Sequence, residues 1–306
     1  MKKICFIAIT ALLLFTACSN HEEEINIAEG KDLIQLSSNI DDGSLGTRAN
    51  LSDAETQNTQ FASGKDITVE IYKTGASSTY TSGTYTANGS GGLSGSCYYP
   101  ADGSNIDICA YYPKGVSSST TSFQLLKEQY YPSQYQLCDL MYATKLTNKA
   151  KGSVHNLTFH HVFSKIIVNL FPGNGVTTED LDNYVSQVEI RSIKVDAGFT
   201  ITNGVIGNIS ASNLKDCIVL AIKPAGSVMS SPHSAIIVPQ THDAGAFIEV
   251  TYNGNTYTYS LPSSTTFSSG YVYTYNITVN STGISLSTTS ITGWTSTTAV
   301  SSSITL

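Results

Sequence analysis

Few side chains in this 306-residue chain stand at spacings that could do chemistry. His160 and His161 are adjacent, so on a strand their rings point to opposite faces and cannot share a metal ion. His155 is expected on the face opposite His161, beside Leu157 and Phe159, as a histidine at the rim of a core. Asp107, Asp139, Asp196 and Asp216 are scattered, and nothing in their spacing singles out a glycosidase pair. Gly-x-Ser-x-Gly, His-Glu-x-x-His, phosphate-loop and calcium-loop patterns are absent. Ser117 to Ser119 lack a neighbouring base and read as loop. Cys97, Cys109, Cys138 and Cys217 are at no zinc spacing. In an oxidising compartment they could pair in three ways, but their apolar settings favour buried thiols. The expectation is no enzyme, no cofactor and no metal.

Reactive chemistry is concentrated at the N-terminus. Met1-Lys2-Lys3 is a basic start, Ile4 to Phe15 is apolar, and Thr16-Ala17-Cys18 follows. The apolar run is too short to span a bilayer and describes a secretory signal. Leu14 to Cys18 resembles a bacterial lipobox, with Phe15 and Thr16 departing from its commonest form. There the Cys18 thiol is the nucleophile that takes a diacylglycerol, and cleavage after Ala17 frees its amine for acylation, typically by palmitate. Ser19 looks like an outer-membrane sorting residue. His21-Glu22-Glu23-Glu24 resembles the surface-export signal of Bacteroidales lipoproteins. Residues 1–17 are therefore expected to be a signal peptide and residues 18–48 an acidic tether with a short strand.

Arginine is the scarcest cation: only Arg48 and Arg191 occur. Arg191 lies in a strand pattern. Arg48 follows Asp41 to Thr47, a polar linker of the kind that proteases nick. Of the two arginines, Arg48 is therefore the one set in an exposed, nickable segment.

The elements that must position these groups are strands. Ser and Thr make up about a quarter of the chain, 13% of residues are charged, and the net charge is -7. The acidic balance argues against a nucleic-acid partner. Alternating or short apolar runs recur at Ile67–Tyr72, Asn105–Tyr112, Val154–Phe159, Ile166–Leu170, Val185–Val195, Cys217–Ile222, Ala235–Val238, Phe247–Tyr252, Thr256–Leu261 and Tyr271–Val279. Asn253-Gly254 is the strongest hairpin signal. Thr178 to Tyr184 could form one short helix. Around thirteen strands over this length predict an all-β protein of two sandwich domains, 49–172 and 173–306, divided at Phe171 to Gly175. Tyr-rich strands such as Tyr271 to Tyr275 could stack on glycans, though cross-strand pairing is the more ordinary reading. Residues 74–101 and 250–306 carry no charge. Unguarded strands of this kind are either covered or meant to pair with another chain. At the end, Val300, Ser302, Ile304 and Leu306 would share one face of a strand within 295–306.

Taken in order, these pieces resemble the Bacteroidales fimbrillin (Mfa-like) family of pilus subunits. The matching residues are Cys18; Leu33 to Leu36; Gly46-Thr47-Arg48-Ala49; Phe61 to Tyr72; Ile108 to Pro113; Asp139 to Ala143; Leu157 to Ile166, with His161 and Ser164-Lys165; and Ile291 to Trp294. Lys65 is inserted relative to the family pattern. The resemblance implies two transthyretin-like or immunoglobulin-like sandwiches in tandem, exported as a lipoprotein to the cell outer membrane. It implies cleavage after Arg48 by an Arg-specific protease, removal of a strand around Leu33 to Ile40, and its replacement by another subunit's terminal segment (here Val300, Ile304 and Leu306). The expected partners are other pilus subunits, that protease, and the membrane through lipid on Cys18. The alternative is a surface-anchored lipoprotein that does not polymerise and binds a glycan or host ligand, a tip adhesin included.

Overall fold

Apolar residues at every second position produce strands along nearly the whole chain. A computed structural model describes residues 32–41, 59–212, 215–223 and 232–294. In chain order these form β1 (Leu36–Ile40), β2 (Asp66–Lys73), β3 (Thr79–Ala87), β4 (Gly92–Ser94), β5 (Ile106–Tyr112), β6 (Ser122–Gln124), α1 (Pro132–Leu137), β7 (Met141–Ala143), β8 (Leu146–Lys149) and β9 (His155–His161). Then come β10 (Ser164–Pro172), α2 (Thr178–Tyr184), β11 (Val185–Lys194), β12 (Asp196–Thr202), β13 (Val205–Ala211), β14 (Lys215–Ile222), β15 (His233–Ile237), β16 (Gln240–His242), β17 (Gly245–Tyr252), β18 (Asn255–Leu261), β19 (Thr265–Phe267), β20 (Tyr271–Asn280) and β21 (Gly283–Gly293). The protein is all-β, as the periodicity predicts.

The N-terminal strands form a sheet that closes on itself. Its order is β2-β3-β4-β1-β9-β7-β5, and β5 pairs back onto β2 from Thr68↔Tyr111 to Lys73↔Ile106. β8 lies along the other end of the β5 edge that β7 occupies. Every pairing around the ring is antiparallel except that of β1 with β9. Inside are Ile34, Leu36, Ile40, Phe61, Ile67, Val69, Tyr85 and Phe159. Phe61 meets Phe159 edge-on at 4.9 Å and Tyr112 at 5.1 Å.

β5 is buried along its full length, and alternation explains how. Ile106, Ile108, Ala110 and Tyr112 face into the ring, whereas Cys109 and Tyr111 face a second core that extends to Trp294. That second core lies between two four-stranded sheets, β15-β10-β20-β21 and β14-β11-β17-β18. The intervening segment 122–129 is stitched onto the same body. β6 pairs with β12, the Leu125 N–H donates to the Val195 carbonyl, and the Gln129 side chain bonds both the N–H and the C=O of Ile236.

Residues 164–172, expected on the N-terminal side of a division near 172, pair as β10 with β15 and β20. The turn chemistry at Phe171 to Gly175 closes β10 inside this sheet. The actual crossover, Val162-Phe163, is a buried apolar step without turn residues. The expected helix over Thr178–Tyr184 forms as α2, started by a capping box between Thr177 and Asp180. Asn253-Gly254 makes the β17–β18 hairpin with positive φ at both residues, 48° and 76°, the geometry of a type I′ turn.

Candidate functional site

The site is built around β1. This strand fills the slot between β4 and β9, so the ring exists only while β1 is in place. Leu36, Ser38 and Ile40 point into the core, and Ser37 and Asn39 point outward. On one side the backbone runs parallel to β9, from Leu36↔His155 to Ile40↔Phe159. On the other side the pairing is short: Leu36↔Leu93, Ser37↔Gly92 and an isolated bridge between Leu33 and Tyr98. Upstream, the Ile34 N–H donates to the Cys97 carbonyl, and the Tyr85 hydroxyl donates to the Ile34 carbonyl at 3.0 Å. Outward contacts are polar. The Ser37 hydroxyl donates to Asn156 Oδ1 at 3.1 Å, and Asn39 Oδ1 accepts from Asn156 and Thr158. One position is imperfect: the Ser38 hydroxyl is buried without a hydrogen-bond partner. An orphan of this kind destabilises the strand in its slot by about 1–3 kcal/mol.

The chain leaves and re-enters the described structure at one point. The Ile40 N–H donates to the Thr59 carbonyl at 2.8 Å, and the Asp41 N–H donates to the Phe159 carbonyl at 2.8 Å. Residues 42–58, which carry Arg48 and Ala49, therefore span between two pinned neighbours. Arg48 and Ala49 themselves lie outside the described residues, as do Cys18 and the terminal Val300, Ile304 and Leu306.

The far end of β9 holds a second cluster. His161 Nδ1 is 2.8 Å from Asp139 Oδ1, and both side chains are buried. Trp294 stacks on the His161 ring at 3.9 Å and 10°. Lys165 Nζ sits 5.7 Å from the Trp294 ring and 5.8 Å from that of Tyr135, within cation–π range. The Trp294 N–H donates to the Gly270 carbonyl, and the Gly270 N–H donates to that of Phe163. Residues 295–306 thus continue from a Trp clamped to the strand that carries β1. Asp139, His161 with Lys165, and Trp294 come from three separate sequence motifs. The convergence on Trp294 was not readable, because its contacts with His161 and Lys165 join positions more than a hundred residues apart.

β9 alternates without interruption, so His155, Leu157, Phe159 and His161 all face inward. This corrects the expectation that His155 and His161 lie on opposite faces: an even separation on a regular strand keeps residues on one side. His155 Nε2 lies 2.6 Å from the Tyr99 hydroxyl; burial, then the Lys149 charge, lowers its proton affinity. Arg191 sits within β11, bonded to Glu189 at 2.7 Å and near Glu249 at 3.5 Å; the Glu189 bond raises its pKa. It is held in a strand rather than offered in a loop. Cys97, Cys109, Cys138 and Cys217 are all free thiols. Burial pushes Cys109 up to about 11 and Cys138 up to about 12, so neither is a ready nucleophile at neutral pH. Among the described residues no three His, Cys, Asp or Glu side chains are grouped to hold a metal ion.

A cavity of about 70 Å³ opens between β18 and β21, lined by Tyr259, Leu261, Tyr273, Tyr275 and Ile291. Small-molecule sites run to about 300–1,000 Å³, so this space holds an edge or a side chain rather than a ligand. Tyr259 of β18 and Tyr275 of β20 lie 6.1 Å apart and pack between the two sheets.

A protein-family model described as fimbrillin-like matches residues 47–294. Among solved structures, a candidate cell adhesion protein from Bacteroides uniformis superposes with a TM-score of 0.63 at 20% identity, covering 88% of this chain and 99% of its own. A second, from Bacteroides ovatus, gives a TM-score of 0.64 at 21% identity, covering 86% and 98%. At such identities the likeness speaks for a shared fold. No curated protein matches in sequence.

Proposed function

The chain belongs to the fimbrillin-like family, and from that premise we propose that it is a structural subunit of a surface fimbria, assembled by strand replacement after an Arg-specific cut. Family membership supports the fimbrial or adhesive role. One observation carries the mechanism: β1 closes the N-terminal ring, yet it is joined to the rest of the fold only through residues 42–58. A cut between Arg48 and Ala49 severs that link and touches none of the pairings around β1. The strand then stays by non-covalent contacts alone and can give way to a segment from another subunit. An extended segment entering the slot regains the main-chain hydrogen bonds of β9 and covers the exposed core.

The remaining parts of the reading fit this cycle. Cys18 is the lipidated residue that holds the precursor at the outer membrane. Residues 18–48 are a tether plus a temporary strand. Residues 295–306, with Val300, Ile304 and Leu306 on one face, are the donor. This reading takes the N-terminal ring and the paired C-terminal sheets as the family's two tandem β-sandwich domains. Arg191, paired within β11, is spared by the protease that cuts at Arg48. Purified precursor treated with an Arg-specific protease should shorten to a chain beginning at Ala49 and form a ladder of detergent-resistant multimers. An Arg48→Ala precursor that ladders like the wild type would rule the mechanism out.

A further inference from the structure

Among the described residues β21 is the longest strand, and it ends its sheet with β20 as its strand partner. Gly283–Gly293 holds no charged residue and no proline, in a chain whose net charge is -7. Two copies of such a chain repel one another over most of their surface, but not where this neutral edge meets itself. The edge is also incompletely covered. Ile277 and Val279 of β20 are buried, whereas Ile284, Leu286 and Ile291 of β21 are only partly buried against the same core. The far edges of the two sheets differ: β14 begins with Lys215 and Asp216, and β15 is buried along its length. A bare edge templates pairing. We propose that β21 pairs with β21 of a second copy, antiparallel about a two-fold axis, and joins two four-stranded sheets into one of eight.

A bulge fixes the register. β21 loses step with β20 between Leu286 and Thr288, so two successive residues face outward. Thr288 Oγ1 accepts from Asn276 Nδ2, and Ser287 Oγ bonds Thr278 Oγ1. On either side the faces alternate: Ile284, Leu286, Thr289 and Ile291 face inward, and Ser285 and Ser290 face outward. An antiparallel copy matches inward with inward and outward with outward across 284–291 only when the axis passes between Ser287 and Thr288. Ile284 then lies opposite the partner's Ile291, Ser285 opposite the partner's Ser290, and Leu286 opposite the partner's Thr289. The same patch is used on both copies, the isologous form usual for homodimers. The bulge that would blunt a lone edge meets its own copy at the axis. Thr289 and Ile291 also line the cavity between β18 and β21. The partner's Leu286 and Ile284 arrive beside them and cover its open side. This pairing needs no cut at Arg48, so it stands apart from strand replacement.

The test uses the full chain carrying Arg48→Ala, which removes the proposed cut, produced in the cytoplasm so that no lipid is attached. Sedimentation equilibrium at pH 7 with a thiol reductant should show reversible dimers. Ser285→Lys combined with Ser290→Lys sets lysine opposite lysine at two places and should raise the dimer dissociation constant roughly tenfold or more. Ser285→Lys combined with Ser290→Glu sets opposite charges at the same two places and should return the constant to the parent value or below it. Both positions are exposed, and an unchanged urea midpoint shows that each variant is folded. A chain that stays monomeric up to about 1 mM overturns the proposal, as does a dimer indifferent to the double-lysine change. A lysine–glutamate variant as weak as the double-lysine one overturns the register. Dimers that form only after truncation past Trp294 assign the edge to this chain's own end and overturn the second copy as its occupant. Strand replacement is read separately, from laddering of the cut wild-type chain, so the two readings fail independently.

Discussion

The two bodies of the molecule treat their sheet edges in opposite ways. The N-terminal sheet bends until β5 meets β2 and leaves no open side; its one weak place is the β1 slot, held on the β4 side by a short pairing. The C-terminal sheets keep edges: β18 and β21 end their respective sheets, carry no charged residue, and leave a small cavity between them. Open edges usually invite pairing and are guarded by charge, proline or bulges. On the proposed mechanism the partner surface is the closed body, because its edge appears only when one strand departs. An edge made on demand can be long and apolar without being an aggregation hazard beforehand.

Removing residues 32–41 should separate the two bodies most. Ile34, Leu36 and Ile40 are buried, and at about 1.5–3 kcal/mol each their loss removes on the order of 5–9 kcal/mol from the ring. The expected result is a lower first urea midpoint, with protease sensitivity confined to residues before 160. Equal loss of both bodies would show instead that the shared surface of β5 makes them one cooperative unit.

Acid should weaken the C-terminal body through His233, which lies on β15 with its Nε2 buried and unpartnered. Burial lowers its pKa from 6.5 to about 4. The folded state therefore refuses a proton that the unfolded chain accepts. Stability is unaffected above the unfolded value and falls as the pH drops from 6.5 towards 4, by about 3 kcal/mol at roughly 1.4 kcal/mol per pKa unit. His233→Phe should remove that part of the acid dependence, read as a smaller difference in urea midpoint between pH 7 and pH 4.5. An unchanged difference would place the acid sensitivity elsewhere.

The smallest effect is expected at Ser38. Ser38→Ala removes an unpartnered buried hydroxyl and should raise the stability of the ring by about 1–2 kcal/mol. In the cut precursor it should slow release of the 18–48 fragment, measured by gel filtration. Faster release would mean that the hydroxyl helps to hold β1.

Strand positions were legible wherever alternation met turn chemistry, as at β17–β18, and the span of the α2 helix was legible, though its Thr177–Asp180 cap was not read. The short β4, β7 and β8 were not, because three or four residues carry no period. The slot was half legible. Leu33 to Ile40 reads as a strand, but its insertion between β4 and β9 depends on pairing with residues more than fifty positions away. The His161–Trp294 stack was hidden for the same reason. β5 shows the other limit: its alternation reads as one buried and one open face, whereas all seven residues are buried and Cys109 and Tyr111 serve a second core.

The hydrogen bond between Ile40 and Thr59 has one more consequence. It holds the two ends of the Arg48 segment together, so a cut there alters connectivity while the contacts around β1 remain. Before the cut, β1 is tethered, and its effective concentration at the slot is in the millimolar range or above. After the cut the same strand is an ordinary ligand, and once it diffuses away its return is governed by dilution. On the proposed cycle the protease would act as a clock: it leaves the fold in place and sets the moment from which departure of the strand is irreversible.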